Sequence, residues 1–523
     1  MTRIIELARR LDEPSRLVYV GLSVIALYVM ALGWSMEHRP YDDWGVFAVF
    51  PLLTAISLPI LWHITRDDVR PIPGLLGFAL VAKLLASLAR YYVVFAVYEG
   101  NADASTYHEA GLAIRHAFRS GSISVIELIP HGQGTDFLKQ LTGLLYTIIG
   151  PTVLGGFMVF SWMGFWGLVF MYRAMLIAFP EADSRRYAKF IFFLPSLLFW
   201  PSSLGKESWL MFTLGITFYG GAGLLTARRS GIPVVLLGVF LTAMVRPHVG
   251  AVTLLSLAIA FMFRPTKFFD NGKADGASAR KLIIVVLLVV GVAIAVSQSA
   301  KFLGSRGSVT ETFNSVSKQT SIGGSAVETE QPNSILQFPQ AVFSVLFRPT
   351  LLEARNVTNL IAAMETTMLL LFFATSLKRL KNLRAWAFRR PFVLFCLTYT
   401  AIFSFAWSAV GNLGILARQR TLAWPAVVVL LALPTHRPDR RSRSRTARSL
   451  SDFSPRNAEA SSESDAATAA HMSDASNRAA ASTRASAPML ARRSPSSMSE
   501  PIASRKATGS AGRTDRHVRP GRR

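Results

Sequence analysis

The residues of this chain best suited to chemistry fall in a few short segments that interrupt long apolar runs. Asn101-Ala102-Asp103 is followed closely by Tyr107, His108 and Glu109. A second segment, Pro201-Ser202-Ser203-Leu204-Gly205-Lys206-Glu207-Ser208, sets a lysine beside a glutamate. Arg246-Pro247-His248 is a third, and Phe347-Arg348-Pro349 with Glu353 and Arg355 a fourth. The last runs from Gly411-Asn412 to Arg418-Gln419-Arg420. Two further cations, Lys83 and Arg90, lie well inside the apolar run 72–98.

Asp103, His108 and Glu109 are the groups suited to acid–base work, with His248 as a second candidate base. A positioned base of this kind accelerates proton transfer by a factor of ~10²–10⁴. The same acids have a plainer use: Asp103 or Ser105 can cap an amphipathic helix whose apolar face is Leu112, Ile114 and Phe118. Lys206, Arg246, Arg348, Arg418 and Arg420 are candidates for binding an anionic substrate, since the planar guanidinium fork matches phosphate oxygens bidentately. Taken singly, an arginine at a helix end can equally snorkel to lipid headgroups. Lys83 and Arg90 are seven residues apart and share one helix face. A charge at the bilayer centre costs about 2.5–3.5 kcal/mol, so that face should turn into the protein. There the two cations could bind substrate or pair with Glu365. No HExxH spacing and no glycine-rich nucleotide loop occurs. Neither a cofactor nor a metal is expected, and no ATP-driven engine is encoded.

The elements that must position these residues are membrane helices. Of 523 residues, 51% are hydrophobic and only 17% charged, and mean hydropathy is +0.35; soluble domains carry nearer a quarter charged residues. The net charge of +25 lies in short clusters between apolar runs and in the C-terminal tail. That placement fits attraction to anionic headgroups and argues against a nucleic-acid partner. The single cysteine, Cys396, rules out an internal disulfide and a cysteine-based metal site. A span needs about 20 apolar residues, which is met or approached by 17–34, 45–63, 72–98, 153–178, 207–226, 281–298, 357–376 and 391–410. Shorter runs at 188–202, 231–245, 249–263 and 421–434 raise the expected count to about 12. The N-terminal run, behind Arg3, Arg9 and Arg10, reads as an uncleaved first helix.

The expected fold class is therefore all-α, a polytopic transmembrane bundle over 1–435 with outer-face loop helices. Residues 436–523, rich in Ser, Arg and Ala, form an expected disordered cytoplasmic tail that could recruit a cytoplasmic partner. Arg9, Arg10 and Arg16 place the N-terminus in the cytoplasm. Cytoplasmic loops then hold Arg66 and Arg70; Arg185, Arg186 and Lys189; Arg228 and Arg229; Arg264, Lys267, Lys273 and Lys281; and Lys378 to Arg390. The scheme closes if 136–151 lies in the interface or re-enters instead of crossing. Both termini are then cytoplasmic, the membrane is a plasma (cytoplasmic) membrane, and the chemistry-bearing segments gather on the outer face, as does the loop 299–356.

Asp103-x-x-x-Tyr107-His108, Phe193 to Glu207, Arg246-Pro247-His248 and the segment Asn412 to Arg420 resemble uncharacterised polytopic proteins of exopolysaccharide gene clusters. The resemblance covers about 1–435. More distantly that group is similar to the C-superfamily membrane glycosyltransferases, which include oligosaccharide repeat-unit polymerases and O-antigen ligases. The resemblance implies a polyprenyl-linked saccharide as donor, its phosphate held by Arg246, Arg418 and Arg420, or Asp103 as base. Asp103 follows the third span here and not the first, a departure from the branch that uses such an aspartate. Two other functions remain open: a transporter or flippase of lipid-linked saccharide, and a non-catalytic assembly protein.

Overall fold

The computed structural model describes residues 2–66, 72–228, 230–264, 269–270, 273–274, 276–302, 316–318, 320, 335–354 and 357–438. The tail beyond 438, most of the loop 303–334, and Arg70, Arg229, Lys267 and Arg355 lie outside them. Apart from a two-residue antiparallel pair, Phe269–Asp270 with Lys273–Ala274, the described elements are helical.

In chain order the longer helices are α1 (Thr2–His38), α2 (Val46–Thr65), α3 (Ile72–Tyr92), α4 (Asp103–Arg119) and α5 (Thr135–Ile149). Next come α6 (Val153–Ala178), α7 (Ser184–Phe193), the single turn α8 (Pro195–Phe199), α9 (Lys206–Leu225), α10 (Gly231–Ala243) and α11 (Pro247–Met262). The chain continues with α12 (Gly276–Phe302), α13 (Phe338–Phe347), α14 (Val357–Thr375), α15 (Leu383–Arg389), α16 (Pro391–Trp407), α17 (Leu413–Gln419) and α18 (Trp424–Leu431).

Five segments are long and apolar enough to cross a membrane: Tyr41–Thr65, Ile72–Val97, Val153–Ala178, Lys206–Leu225 and Lys281–Ser299. Two bent pairs, α15 with α16 (116°) and Leu413–Leu422 with α18 (66°), raise the number to seven if each is one span. This is a membrane protein of five to seven such helices among the described residues, fewer than the expected dozen. The run 188–202 is not one helix, because Pro195 disfavours helical geometry at Leu194 and α7 stops there. The runs around α10, α11 and α18 form helices of 13, 16 and 8 residues. At 1.5 Å per residue none reaches ~30 Å, the thickness of the hydrocarbon core.

Helices α6 and α9 form the centre, with 78% and 83% of their apolar stretches buried, against 17% for the stretch in α12. Glycine makes that centre possible. A Cβ on Gly167 would lie 2.2 Å from the Met211 carbonyl, and one on Gly215 would lie 2.3 Å from the Gly167 carbonyl. Backbone therefore meets backbone between α6 and α9, the close approach that small residues allow in membrane bundles. Gly220, Gly231 and Gly238 do the same between α9 and α10.

The stretch 136–151, expected at the interface or re-entrant, is α5, which packs on amphipathic α4 as a hairpin. Gly111 faces Thr142 and Gly143 faces Ile114 across it. The Gly134 N–H donates to the Met244 carbonyl at 2.7 Å, tying the hairpin to the end of α10. That tie brings the start of α5 to the turn carrying Arg246.

Candidate functional site

Four residues far apart in sequence form one ion-paired group. Arg418 donates from Nε to Glu207 Oε1 at 2.8 Å and from Nη2 to Asp103 Oδ2 at 3.1 Å. Arg246 approaches the same Glu207 oxygen at 3.5 Å. Each is fixed by a local device. Asp103 opens α4, behind a turn closed by Ser105 Oγ donating to the Gly100 carbonyl at 2.6 Å. Glu207 lies in the first turn of α9, where a carboxylate complements the helix dipole. Arg246 is the N-cap of α11, its N–H held by the Thr242 carbonyl at 2.8 Å. Arg418 rides on α17, which Asn412 caps by accepting from the Gly414 and Ile415 N–H groups at 2.9 and 3.1 Å.

Burial is graded across the group. The Glu207 side chain is 2% exposed, Arg246 12%, Arg418 28% and Asp103 52%. The inner carboxylate therefore anchors the arginines, and the outer one sits at a rim open to ligand. A cavity of about 470 Å³ adjoins the rim, lined by Arg90, Tyr98, Asn101, Asp103, Trp200, Asn359, Asn412 and Arg418 among others. Arg90 is buried, its guanidinium 5.0 Å from the Phe199 ring centroid and 4.9 Å from that of Trp200. Its Nε and Nη1, and Nη1 of Arg246, are buried without a hydrogen-bond partner. Buried donors of this kind are costly unless something accepts from them.

Lys206, next to Glu207, lies within the electrostatic reach of Asp103, Arg246 and Arg418. Arg90, Lys206, Arg246 and Arg418 set four positive charges against the two of Asp103 and Glu207, an excess of two. Buried Tyr107, one turn beyond Asp103, has its phenol pushed up chiefly by burial and further by Asp103 and Glu207, so it remains a neutral neighbour of the group. Such a site can hold an anion carrying about two charges and can offer a half-exposed carboxylate to an incoming group.

The other sequence candidates are placed elsewhere or turned aside. Lys83 shares the buried face with Arg90, as its spacing implied, but its Nζ donates to the Leu197 and Leu198 carbonyls at 2.6 and 3.1 Å. Neither cation pairs with Glu365, whose Oε1 instead accepts from the Ser196 N–H and Oγ, both at 2.8 Å. His108 makes a 2.8 Å hydrogen bond to the Tyr146 hydroxyl of α5, and Glu109 is exposed. His248 is half-buried, with its ring centroid 5.5 Å from that of Trp407. Arg420 is fully buried and donates to the Leu346 and Arg348 carbonyls at the end of α13. Arg348 pairs locally with Glu353. These two arginines serve the α13 turn and not the Asp103 rim.

Sequence reading did not assign a site role to Glu207, Tyr107, Trp200 or the asparagines of the cavity. Glu207 stood inside a quoted segment, and the signal present was its place in the first turn of a span. Among the described residues no three His, Cys, Asp or Glu side chains gather in an arrangement that could hold a metal ion. Compared with known proteins, no family model, curated protein or solved structure matches this chain.

Proposed function

We propose that this chain is a membrane glycosyltransferase or polysaccharide polymerase that transfers a saccharide from a polyprenyl-linked donor to an acceptor hydroxyl on the outer face. The observation that carries this reading is the excess of two positive charges in the ion-paired group and its neighbours, beside a helix-end cavity that Arg90, with its unpaired buried donors, and the exposed Asp103 carboxylate both line. A polyprenyl phosphate or pyrophosphate needs such a site, because its lipid tail stays in the bilayer and its anionic head must be met at the helix ends.

Arg418, Arg246, Lys206 and Arg90 hold the donor phosphate in this reading. Asp103 occupies one arm of Arg418. A phosphate taking that arm releases the Asp103 carboxylate toward the acceptor. The acceptor oxygen attacks the anomeric carbon and its proton passes to Asp103. The bond from that carbon to the phosphate oxygen breaks, and its electron pair stays on the phosphate, where the cations stabilise the developing charge. The configuration at the anomeric carbon inverts. Orientation follows from the positive-inside rule, which places the Arg185, Arg186 and Lys189 cluster inside and the Asp103 rim outside, in a plasma membrane with cytoplasmic termini.

Arg418→Ala and Asp103→Asn test the proposal in cells making the polymer. Both should abolish polymer while lipid-linked precursor persists on the outer leaflet. Polymer of unchanged length and amount in Arg418→Ala overturns the assignment. Precursor trapped on the cytoplasmic leaflet in a deletion strain would favour a translocator instead.

A further inference from the structure

Two charges buried in the bundle take no direct part in the anion site. Lys83 is 1% exposed and Glu365 7%, and they stand on different helices, α3 and α14. A charge in the apolar interior is costly enough to mark a function unless it only pairs with another. These two do not pair. Each instead holds one end of the single turn α8, which packs against both α3 and α14.

Neither end of α8 is closed by its own sequence. At its start the N-cap is Leu194, whose side chain cannot accept a hydrogen bond, and Glu365 Oε1 accepts from the Ser196 N–H instead, at 2.8 Å. At its end the Leu197 carbonyl would ordinarily accept from the N–H four positions on, but Pro201 stands there and has none. Lys83 Nζ supplies the missing donor, 2.6 Å from the Leu197 oxygen and 3.1 Å from that of Leu198, to which Ser202 Oγ also donates. Phe199 ends the turn and Trp200 follows it. Their ring centroids are the ones 5.0 and 4.9 Å from the Arg90 guanidinium, whose Nε and Nη1 have no hydrogen-bond partner. Aromatic rings hold a guanidinium by its face, so its N–H edge stays available; an acid would have taken that edge.

We infer that Lys83 and Glu365 are positioning residues for the anion site. They fix α8 from its two ends, α8 fixes the Phe199 and Trp200 rings, and the rings hold Arg90 at the cavity it lines. Neither residue touches substrate. Their role rests on the anion site proposed above.

The test is calorimetric titration of the full-length, detergent-purified protein with pyrophosphate. Lys83→Met keeps the side-chain length, removes the donors and should weaken binding about 10-fold, the lower end for losing a hydrogen bond to a charged group, as should Arg90→Gln. In the double variant the loss should stay near 10-fold instead of reaching about 100-fold, because Lys83 acts through Arg90. The fall in Tm caused by Lys83→Met should be the same in both backgrounds, which separates positioning from stability. Glu365→Leu should lose affinity as Lys83→Met does, and Glu365→Gln, which keeps an accepting oxygen, should regain it. Phe199 is half-buried, so Phe199→Leu should fold; removing one ring should weaken binding about 3-fold, and this variant decides the matter if Lys83→Met does not fold. Parent-like affinity in Lys83→Met or Phe199→Leu, multiplied losses in the double variant, or no recovery in Glu365→Gln would overturn the positioning role while the anion site stands. A parent that does not bind pyrophosphate would overturn the anion site, and this role with it.

Discussion

Replacing Glu207 by Gln should lower stability and strengthen anion binding at the same time. The carboxylate is 2% exposed and is the shared partner of Arg418 at 2.8 Å and Arg246 at 3.5 Å. Glutamine keeps the shape and removes the charge, leaving two guanidinium groups facing each other. Removing one member of a buried ion pair costs about 3–5 kcal/mol. Arg418 is partly exposed and keeps Asp103, so the lower end, ~3 kcal/mol, is expected. At ~1 °C per kcal/mol for a chain of this size, the Tm should fall by about 3 °C. The positive excess meanwhile rises from two to three. Pyrophosphate at about 100 times its Kd adds ~2.7 kcal/mol to any state that binds it, and the variant should reach that gain at lower ligand concentration than the parent. Tryptophan fluorescence of the detergent-purified protein, heated with and without pyrophosphate, reads both effects. A variant within a degree of the parent would show that the arginines do not rest on Glu207. A weakened pyrophosphate response would refute the anion site itself.

Three other substitutions separate structural roles from the site. Gly167→Ala should destabilise by about 3 kcal/mol, the upper range for overpacking, because its methyl would collide with the Met211 carbonyl; loss of folded monomer in size-exclusion chromatography reads this. Arg420→Lys gives up the guanidinium fork on the Leu346 and Arg348 carbonyls and should cost about 1.5–3 kcal/mol while the pyrophosphate response is retained. His108 is held below the usual histidine range by burial, against the raising fields of Asp42 and Glu109. Above about pH 6.5 the imidazole is neutral folded or unfolded; below it the unfolded chain takes the proton first, so stability falls with pH. His108→Gln should flatten the Tm profile between pH 7.5 and 5, roughly the window over which an ordinary histidine titrates.

The sequence by itself determined the class of molecule and the residues that stand out against it. Membrane helices follow from long apolar runs, since only helices satisfy their backbone polar groups within one segment in lipid. Asp103, Arg246 and Arg418 were legible because charged side chains at the ends of apolar runs need a reason. The shared buried face of Lys83 and Arg90 was legible from a spacing of seven residues. Their partners were not. Arg418 and Asp103 are 315 positions apart, and no local pattern links them to each other or to Glu207. The same lack of local signal made Arg420 look like a companion of Arg418, although two residues along a helix turn it to another face, where it holds α13. The expected dozen spans is not reached among the described residues for a related reason. Hydropathy measures reluctance to meet water, and α10, α11 and α18 are as apolar as spanning helices although each is shorter than the hydrocarbon core is thick. Only the tertiary structure decides whether an apolar helix faces lipid or protein, because both environments exclude water equally and the sequence records only that exclusion.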